Sequence, residues 1–410
     1  MPQWFARVRP QHGTPSSVTC VAESMLPDGW MPGGWGSYRF RFMNSSATPA
    51  RLLHWSAHWE AHGRPVGQPW SAALDQPIAA HAAATKDEVG FLPHDVVEHA
   101  HPHAPVMVGQ FMVEQGNSQI ELPFRLPIPA AVLPEPLQLV RGTHVGLELM
   151  ASRCTDFTEQ ARACDWLDQA YMLMRDLTGQ QPDAGALLVL QESPPHPYFA
   201  YAGNPIVLNT HYVAETLHAI ETNRIPFGWI HEIGHVFDVL GPWHNWNAAA
   251  AEWQANFKLA YVFEHLQDQS WTIDWRAFRN PSFGHPHGNT VMHGQQFVDA
   301  LWTFNGDSYL ADGQRSWETL SSDELHSCFQ RVQRIYGWEP WKRWYRAYAY
   351  LADRGFTPPA TAEGKIQLCA AILEQVIKAD LVPTWARWRL PVSAATTQHM
   401  THAYALADLG

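Results

Sequence analysis

The chain has 410 residues, of which 46% are hydrophobic and only 16% are charged. Its 27 basic and 39 acidic residues give a formal net charge of −12, so nucleic acid and anionic membrane surfaces are unfavourable partners. The length predicts two or three domains, and the prolines and glycines follow no repeat of the collagen type.

No stretch approaches the roughly 20 apolar residues of a membrane span, which argues against membrane insertion. Residues 1–10 lack the apolar segment of an export signal. The five cysteines form no Cys-x-x-Cys pair, so they predict reduced thiols, not a disulfide framework or a cysteine zinc site. The compartment stays open, since a cytoplasmic protein and one secreted by an unrecognised route would share these features.

The first third of the chain is typical of β structure. Apolar and polar residues alternate over residues 53–62, which predicts a half-buried strand, and residues 38–42 and 106–113 predict two more. Turn-rich segments separate these strands at a spacing typical of sandwiches. We therefore expect a β-sandwich accessory domain over residues 1–137, ending in the Pro-rich linker 127–136.

Beyond the linker the pattern becomes mixed and then mainly helical. A short apolar run predicts a strand at residues 186–190, and the end of the segment 201–209 is strand-like. The fold class expected is therefore α+β multidomain, with a mixed α/β, mainly helical core at 138–315 and a helical C-terminal part at 316–410. Helices are expected at residues 155–177, 226–240, 247–265, 322–335, 338–352 and 364–379.

The most informative segment is Ile-His-Glu-Ile-Gly-His at residues 230–235, an H-E-x-x-H pattern. Positions i and i+4 share one face of a helix, so His231 and His235 can direct two imidazole nitrogens at one zinc ion, with Glu232 beside a water on that ion. A preceding proline and the Gly-Pro pair at 241–242 are start and stop signals for this helix. The alternative is two buried histidines on a structural helix.

A zinc site of this type needs a third protein ligand. The metzincin pattern is excluded, because Asp238 and Gly241 stand where it requires glycine and histidine. Glu252 follows His235 by 17 positions on the next expected helix, and two histidines with one glutamate leave a fourth position for water. Asn256 shares that helix face and can orient a zinc-binding histidine. Ordinary helix-surface residues are the alternative for both.

These residues resemble the gluzincin metallopeptidases of the viral-enhancin and bacterial mucin-directed family. The likeness rests on His-Glu-Ile-Gly-His, on the Glu-x-x-x-Asn of residues 252–256 and on Tyr-Gly-Trp-Glu-Pro-Trp at 336–341. It covers roughly residues 200–350. The resemblance implies a metallopeptidase core that often accompanies β-sandwich or glycan-binding modules.

The resemblance also assigns roles to individual residues. It implies that His231, His235 and Glu252 bind one Zn²⁺ ion and that Glu232 is the catalytic base, which takes a proton from the attacking water. It further implies that residues 201–209 form an edge strand on which an extended substrate pairs. Candidate donors to the oxyanion are Tyr309, Tyr336, Tyr345, His285, His287 and His293.

Other conspicuous side chains have a plainer interpretation. Asp238 is expected on the polar surface, and His244 in a loop. His54, His58 and His62 cannot share an ion, because four strand residues span ~13 Å. An exposed loop is expected for a group whose spacing matches no tetrahedral site, namely His94, His99, His101 and His103. Helix packing is expected for the aromatic residues at helical spacing, Trp338, Trp341, Trp344 and Tyr345.

The sequence thus predicts a zinc metallopeptidase acting on proteins or glycoproteins, with a glycan contact as a further expectation. Two alternatives stay open. One is a zinc hydrolase of small amides, and the other is a catalytically silent glycan- or protein-binding member of the same fold. The intact motif with Glu232 favours an enzyme, since a binding protein has no need of a base.

Overall fold

The structure is a computed structural model that describes residues 5–7, 17–26, 29–30, 32–100, 103–128, 133–274, 291–293, 298 and 306–409. Linker residues 129–132, His101, His285 and His287 lie outside the described residues, and only the backbone of His293 is described. The chain forms two compact units, residues 1–136 with 193–199 and 209–211, and residues 137–192, 200–208 and 212–410. The finer predicted limits at 138–315 and 316–410 stay a prediction.

The first unit contains two antiparallel sheets. Their strand orders are β1-β2-β3-β6 and β5-β4-β7-β8. The predicted strands at 38–42, 53–62 and 106–113 correspond to β3, β4 and β7, so these predictions are confirmed, except that His62 lies in the turn after β4. The elements are β1 (Phe5–Arg7), β2 (Val18–Ser24), β3 (Gly34–Asn44), β4 (Ala50–Ala61), β5 (Arg64–Ile78), β6 (Ala83–Leu92), α1 (His94–Ala100), β7 (Val106–Gln115) and β8 (Ser118–Pro127).

Alternating apolar residues of both sheets form one hydrophobic core in this unit. Phe40 of β3 contacts Phe111 of β7 and Phe124 of β8, at ring-centroid distances of 4.7 and 4.8 Å. In β4 a β-bulge between Leu52 and His54 interrupts the alternation. The bulge inserts an extra residue, so the predicted two-residue period does not hold through this point.

The second unit contains a five-stranded sheet and most of the helices. The sheet order is β12-β13-β11-β10-β9, in which β10 and β11 are parallel. A separate pair, β14 and β15, is antiparallel. The strands are β9 (Leu137–Arg141), β10 (Val145–Met150), β11 (Leu188–Ser193), β12 (Ala200–Tyr201), β13 (Ile206–Asn209), β14 (Thr272–Asp274) and β15 (Val291–His293).

The described helices of this unit confirm the α+β class, while the predicted arrangement of a β-sandwich before a helical catalytic domain stays a prediction. The helices are α2 (Ala151–Asp156), α3 (Gln160–Thr178), α4 (Thr210–Glu221), α5 (Phe227–Val236), α6 (Gly241–His244), α7 (Ala248–His265), α8 (Asp307–Ala311), α9 (Ser322–Tyr336), α10 (Glu339–Asp353), α11 (Ala362–Ile377), α12 (Val382–Arg387) and α13 (Ala394–Ala403).

Two predicted helices differ from the structure. The helix expected at 155–177 is two helices, because the chain is extended at the buried Phe157, and Gln160 donates to the carbonyls of Cys154 and Phe157. The helix expected at 226–240 ends at Val236. The other four expected helices match α7, α9, α10 and α11 within about two residues, the usual uncertainty of helix ends.

An aromatic core joins α7 to α9, α10 and α11. Trp341, Trp344 and Tyr345 of α10 are buried in it, which confirms helix packing as their role. Trp338 packs against the same core and is partly buried. Among the described residues, no helix combines the length and apolar character that a membrane span requires.

Candidate metal centre

The two histidines of the motif lie on one face of α5. Pro226 precedes the helix as its N-cap, and Ile230 and Ile233 are buried on the other side. The Nε2 atoms of His231 and His235 are 3.1 Å apart. The i, i+4 spacing therefore brings two nitrogen donors to one point, as the sequence predicts.

Helix α7 places a carboxylate at the same point. Its first turn begins at Asn247, whose side chain accepts a hydrogen bond from the N–H of Ala250 over 2.8 Å. The carboxylate oxygens of Glu252, on the next turn, lie 3.2 Å from Nε2 of His231 and 3.5 Å from Nε2 of His235.

The two Nε2 atoms and the two carboxylate oxygens of Glu252 have spacings that suit a tetrahedral zinc site. Ligands about 2.0–2.1 Å from zinc at tetrahedral angles lie about 3.3 Å from one another, and the separations here are 3.1, 3.2 and 3.5 Å. Within the described ranges this is the one His/Cys/Asp/Glu group close enough to hold a metal ion. The donor set fits zinc, because two imidazoles and a carboxylate are its usual catalytic ligands.

Asn256 contacts the ring nitrogen of His231 that faces away from the candidate metal site. The Oδ1 atom of Asn256 lies 2.8 Å from Nδ1 of His231. An amide oxygen can only accept, so Nδ1 carries the proton, and Nε2 is the ring nitrogen that faces Glu252. The structure thus places Asn256 where the sequence predicts it.

The motif glutamate is buried beside these donors. Burial raises the pKa of Glu232, while the adjacent imidazoles of His231 and His235 oppose that shift. Burial also acts to raise the pKa of Glu252, but its hydrogen bonds to the two histidines hold that pKa far below its ordinary value. One carboxylate is therefore held as an anion, and the other is a stronger base than an exposed glutamate.

Gly234 lets the two ligand helices approach closely, a role that the sequence analysis missed. A Cβ atom at this position would lie 2.9 Å from the carbonyl oxygen and 3.1 Å from the Cα of Ala255 on α7. Any larger side chain would push α7 away and separate Glu252 from the histidines. The signal is only a small residue inside the motif, and its partner is not visible from the sequence.

The predictions for Asp238 and His244 were wrong. The carboxylate of Asp238 is buried next to Lys258, with Oδ1 and Nζ 3.2 Å apart. His244 is buried in the short helix α6, its Nε2 3.5 Å from the same carboxylate. Asp238 pairs with a residue on another helix, and His244 packs on Tyr348 of α10 with ring centroids 5.2 Å apart. Local polarity does not reveal these contacts.

The sequence analysis also missed the buried carboxylate of Asp323. It lies in the first turn of α9 and is 8% exposed. Burial, together with the charges of Glu324 and Glu252, raises its pKa to about 6. A Ser-x-x-Glu capping box surrounds it in the sequence, so the pattern there indicates a helix start and nothing more.

Two of the tyrosines that are candidate donors to the oxyanion are buried and make hydrogen bonds elsewhere. Tyr309 is buried and donates to the carbonyl of Trp388 over 3.0 Å, and Tyr345 is buried and donates to Gln254 over 2.7 Å. These two hydroxyls donate hydrogen bonds within the core, so their prediction as oxyanion donors was wrong. Tyr336 is the last residue of α9 and is 38% exposed.

The predicted edge strand is narrower than expected. Within the predicted segment only β12, at Ala200–Tyr201, is at an edge of the sheet, and β13 lies between β12 and β11. The turn at 202–205 folds the predicted segment 201–209 back on itself, so its second half becomes an inner strand. Strand β12 contacts α5, the helix of the two histidines.

The remaining histidines form no further centre in the described part of the chain. His94 and His99 are exposed, as predicted, but they lie in α1 and not in a loop. His54 is exposed on β4, and His58 is half-buried there.

Comparison with known proteins gives only distant likenesses. No protein-family model and no curated protein matches the chain. A functionally unknown conserved protein from Bacillus anthracis str. Ames, solved as a mutant, is 14% identical with a TM-score of 0.48, and the match covers 94% of this chain and 78% of that one.

Two further solved structures carry a peptidase name. The catalytic module of the metalloprotease ZmpA from Clostridium perfringens is 12% identical with a TM-score of 0.43, covering 94% of this chain and 79% of that one. The ZmpB metallopeptidase from Clostridium perfringens is 13% identical with a TM-score of 0.41, covering 88% and 76%. The resemblance to enhancin-like peptidases stays a prediction.

Proposed function

We propose that the protein is a zinc-dependent metallopeptidase that hydrolyses peptide bonds in protein or glycoprotein substrates, mucin-like ones included. The observation that carries this proposal is the spacing of the donors on His231, His235 and Glu252, which lie 3.1 to 3.5 Å apart. A site with three such ligands keeps a fourth position for water, as catalytic zinc requires.

Each residue around the donors has a separate role in the proposed hydrolysis. A bound zinc ion would supply an acidified water and polarise the substrate carbonyl. Glu232 takes the proton from that water and passes it to the leaving amine, because it is buried next to His231 and is a stronger base than an exposed glutamate. Asn256 keeps the His231 ring in the tautomer that leaves Nε2 free to act as a ligand.

One feature of the fold favours a polypeptide over a small amide. Strand β12 is at one edge of its sheet and contacts α5. An extended peptide can pair with a sheet edge through its backbone, which would bring its carbonyls past the helix of His231 and His235. A small amide gains nothing from such an edge.

The test combines metal analysis with cleavage of casein and of a mucin. We expect one zinc per chain in the wild type, in Glu232→Gln and in the control Glu339→Gln, which makes the same change at a residue whose side chain is 79% exposed. Cleavage should fall by at least ~100-fold in Glu232→Gln and stay unchanged in the control.

Three other results would change the assignment. Equal cleavage by Glu232→Gln would dismiss the catalytic role of that residue. Bound zinc without cleavage of any protein or small amide would favour the silent binding protein. Hydrolysis of small amides alone would favour the amide hydrolase.

A further inference from the structure

A buried lysine lies behind the candidate metal centre. Lys258 is on α7, six residues after Glu252, and is fully buried. Its Nζ is 3.2 Å from Oδ1 of Asp238 and 5.7 Å from the ring centroid of Tyr345. Lysine is almost never buried without a partner, and the proposed chemistry gives this ion pair no role.

Asp238 connects the lysine to a candidate ligand. It follows His235 by three residues, just beyond the end of α5, and its N–H donates to the carbonyl of His235 over 2.9 Å. Its carboxylate also accepts a hydrogen bond from the side chain of Asn245. The last carbonyls of a helix lack partners within the helix, so Asp238 fixes the turn that carries His235.

The close contact between the two helices does not by itself set their register. A Cβ atom on Gly234 would lie 2.9 Å from the carbonyl oxygen of Ala255, and neither residue has a side chain long enough to interlock. One turn earlier His231 and Asn256 hydrogen-bond across the two helices, but at the end of α5 a slide along α7 would still change the distance from His235 to Glu252. The ion pair of Asp238 and Lys258 opposes such a slide.

Energetics also favour a geometric role for the pair. Removing two charges from water costs about as much as their attraction returns, so well-packed apolar residues would give equal or greater stability. In some proteins a buried polar or ionic group selects a single register between two elements. Here the two elements are the helices that carry the candidate ligands.

We propose that Asp238 and Lys258 are positioning residues that hold α5 in one register along α7, so that His235 and Glu252 reach the same ion. This inference rests on the zinc site proposed above. It assigns the pair to metal affinity and to ligand geometry, and not chiefly to the stability of the fold.

The test measures zinc affinity against a competing chelator in the full chain. Asp238→Asn and Lys258→Met each leave one buried charge alone, and the double variant Asp238→Asn/Lys258→Met leaves none. We expect each to bind zinc about 10- to 100-fold more weakly, the range for outer partners of metal ligands. If a single variant does not fold, the double variant carries the comparison.

The matched control is Arg153→Met, which breaks the ion pair of Arg153 with the buried Glu192 on α2 and β11, with Nε and Oε1 2.7 Å apart. We expect this control to melt at a lower temperature while its zinc affinity stays within twofold of the wild type. The visible absorption of the cobalt-loaded protein, which reports the arrangement of the ligands, should change in the double variant and not in the control.

Two results would overturn the inference, and they differ from failure of the proposed function. A double variant with wild-type zinc affinity would show that the pair does not position the ligands, even if the wild type is an active zinc peptidase. Equal losses of zinc affinity in the double variant and in Arg153→Met would assign the pair to general stability. A wild type that binds no zinc would remove the proposed function and this inference together.

Discussion

The two sides of α7 carry different chemistry within one helix of 18 residues. The side toward α5 presents Glu252, Ala255 and Asn256, of which one is a candidate ligand, one receives Gly234 and one orients His231. On this side the two helices approach closely at Gly234 and Ala255. Its side chains are arranged around the candidate metal site.

The opposite side of α7 is aromatic. Trp253 stacks on Phe329 of α9 with ring centroids 4.3 Å apart, and Phe257 meets Trp341 of α10 at 4.6 Å. Adjacent residues of α7 therefore have different roles. Those that face α5 belong to the proposed metal site, and the aromatic ones stabilise the fold. Substitutions at neighbouring positions should separate metal affinity from the free energy of unfolding.

The largest effect is expected from Glu252→Ala. Removing a carboxylate ligand should weaken zinc binding by more than the ~100-fold that the loss of an outer partner causes. The metal-free protein should change in stability by only about 1 kcal/mol, because the side chain of Glu252 is 51% exposed. Chelator competition and urea unfolding without metal measure the two quantities. Wild-type zinc affinity in this variant would remove Glu252 from the site.

The next position gives the reverse pattern. Trp253→Ala should cost about 3–5 kcal/mol in the free energy of unfolding, since it leaves a large cavity beside Phe329. Zinc affinity of the folded fraction should stay within a few-fold of the wild type. A strong loss of zinc affinity with little change in unfolding would show that the two sides of α7 do not work separately.

This contrast also explains what the sequence could predict. The residues of the candidate centre lie on two consecutive helices, and the spacing of His231, His235, Glu252 and Asn256 follows from helical periodicity. Short-range rules therefore predict which side chains share a face. They also predict strands β3, β4 and β7 from their alternation, but not the bulge in β4, which depends on its neighbouring strands.

Features that depend on contacts between segments distant in the sequence could not be predicted. A Gly-Pro pair predicts that the motif helix ends at residue 240, yet it ends at Val236. Phe237 packs on Tyr171 of α3 with ring centroids 5.0 Å apart, and Asp238 turns inward to Lys258. A lysine on a helix usually indicates a solvated surface, so nothing local marks Lys258 as buried.

A smaller effect on the ligand side tests the orientation of His231. Asn256→Ala removes the acceptor of its Nδ1–H and should weaken zinc binding about 10- to 100-fold. Asn256→Asp keeps an acceptor oxygen at the same place and should lose less. Isothermal titration with zinc compares the two. Equal losses would mean that the hydrogen bond to Nδ1 is not what matters.

The smallest effect belongs to the aromatic side and depends on pH. His326 of α9 is buried against Phe257, with ring centroids 5.7 Å apart, and burial lowers its pKa to about 3. The unfolded chain gains a proton near the ordinary value of about 6.5, while the folded chain does not. Stability is therefore complete above pH 6.5 and falls as the pH is lowered from there toward 3. Between pH 7.5 and 5.5 the loss should be roughly 1.4 kcal/mol.

Replacing this histidine by a residue that does not titrate should remove that part of the pH dependence. His326→Gln keeps a polar group near Gln330, whose Oε1 lies 3.2 Å from Nε2 of His326. Urea unfolding at pH 7.5 and 5.5, with chelator present to keep the metal site out of the measurement, compares the variant with the wild type. The same slope in both would mean that the buried imidazole takes up its proton within the folded state. The aromatic side of α7 would then admit a charge, and its contrast with the ligand side would be smaller than the packing indicates.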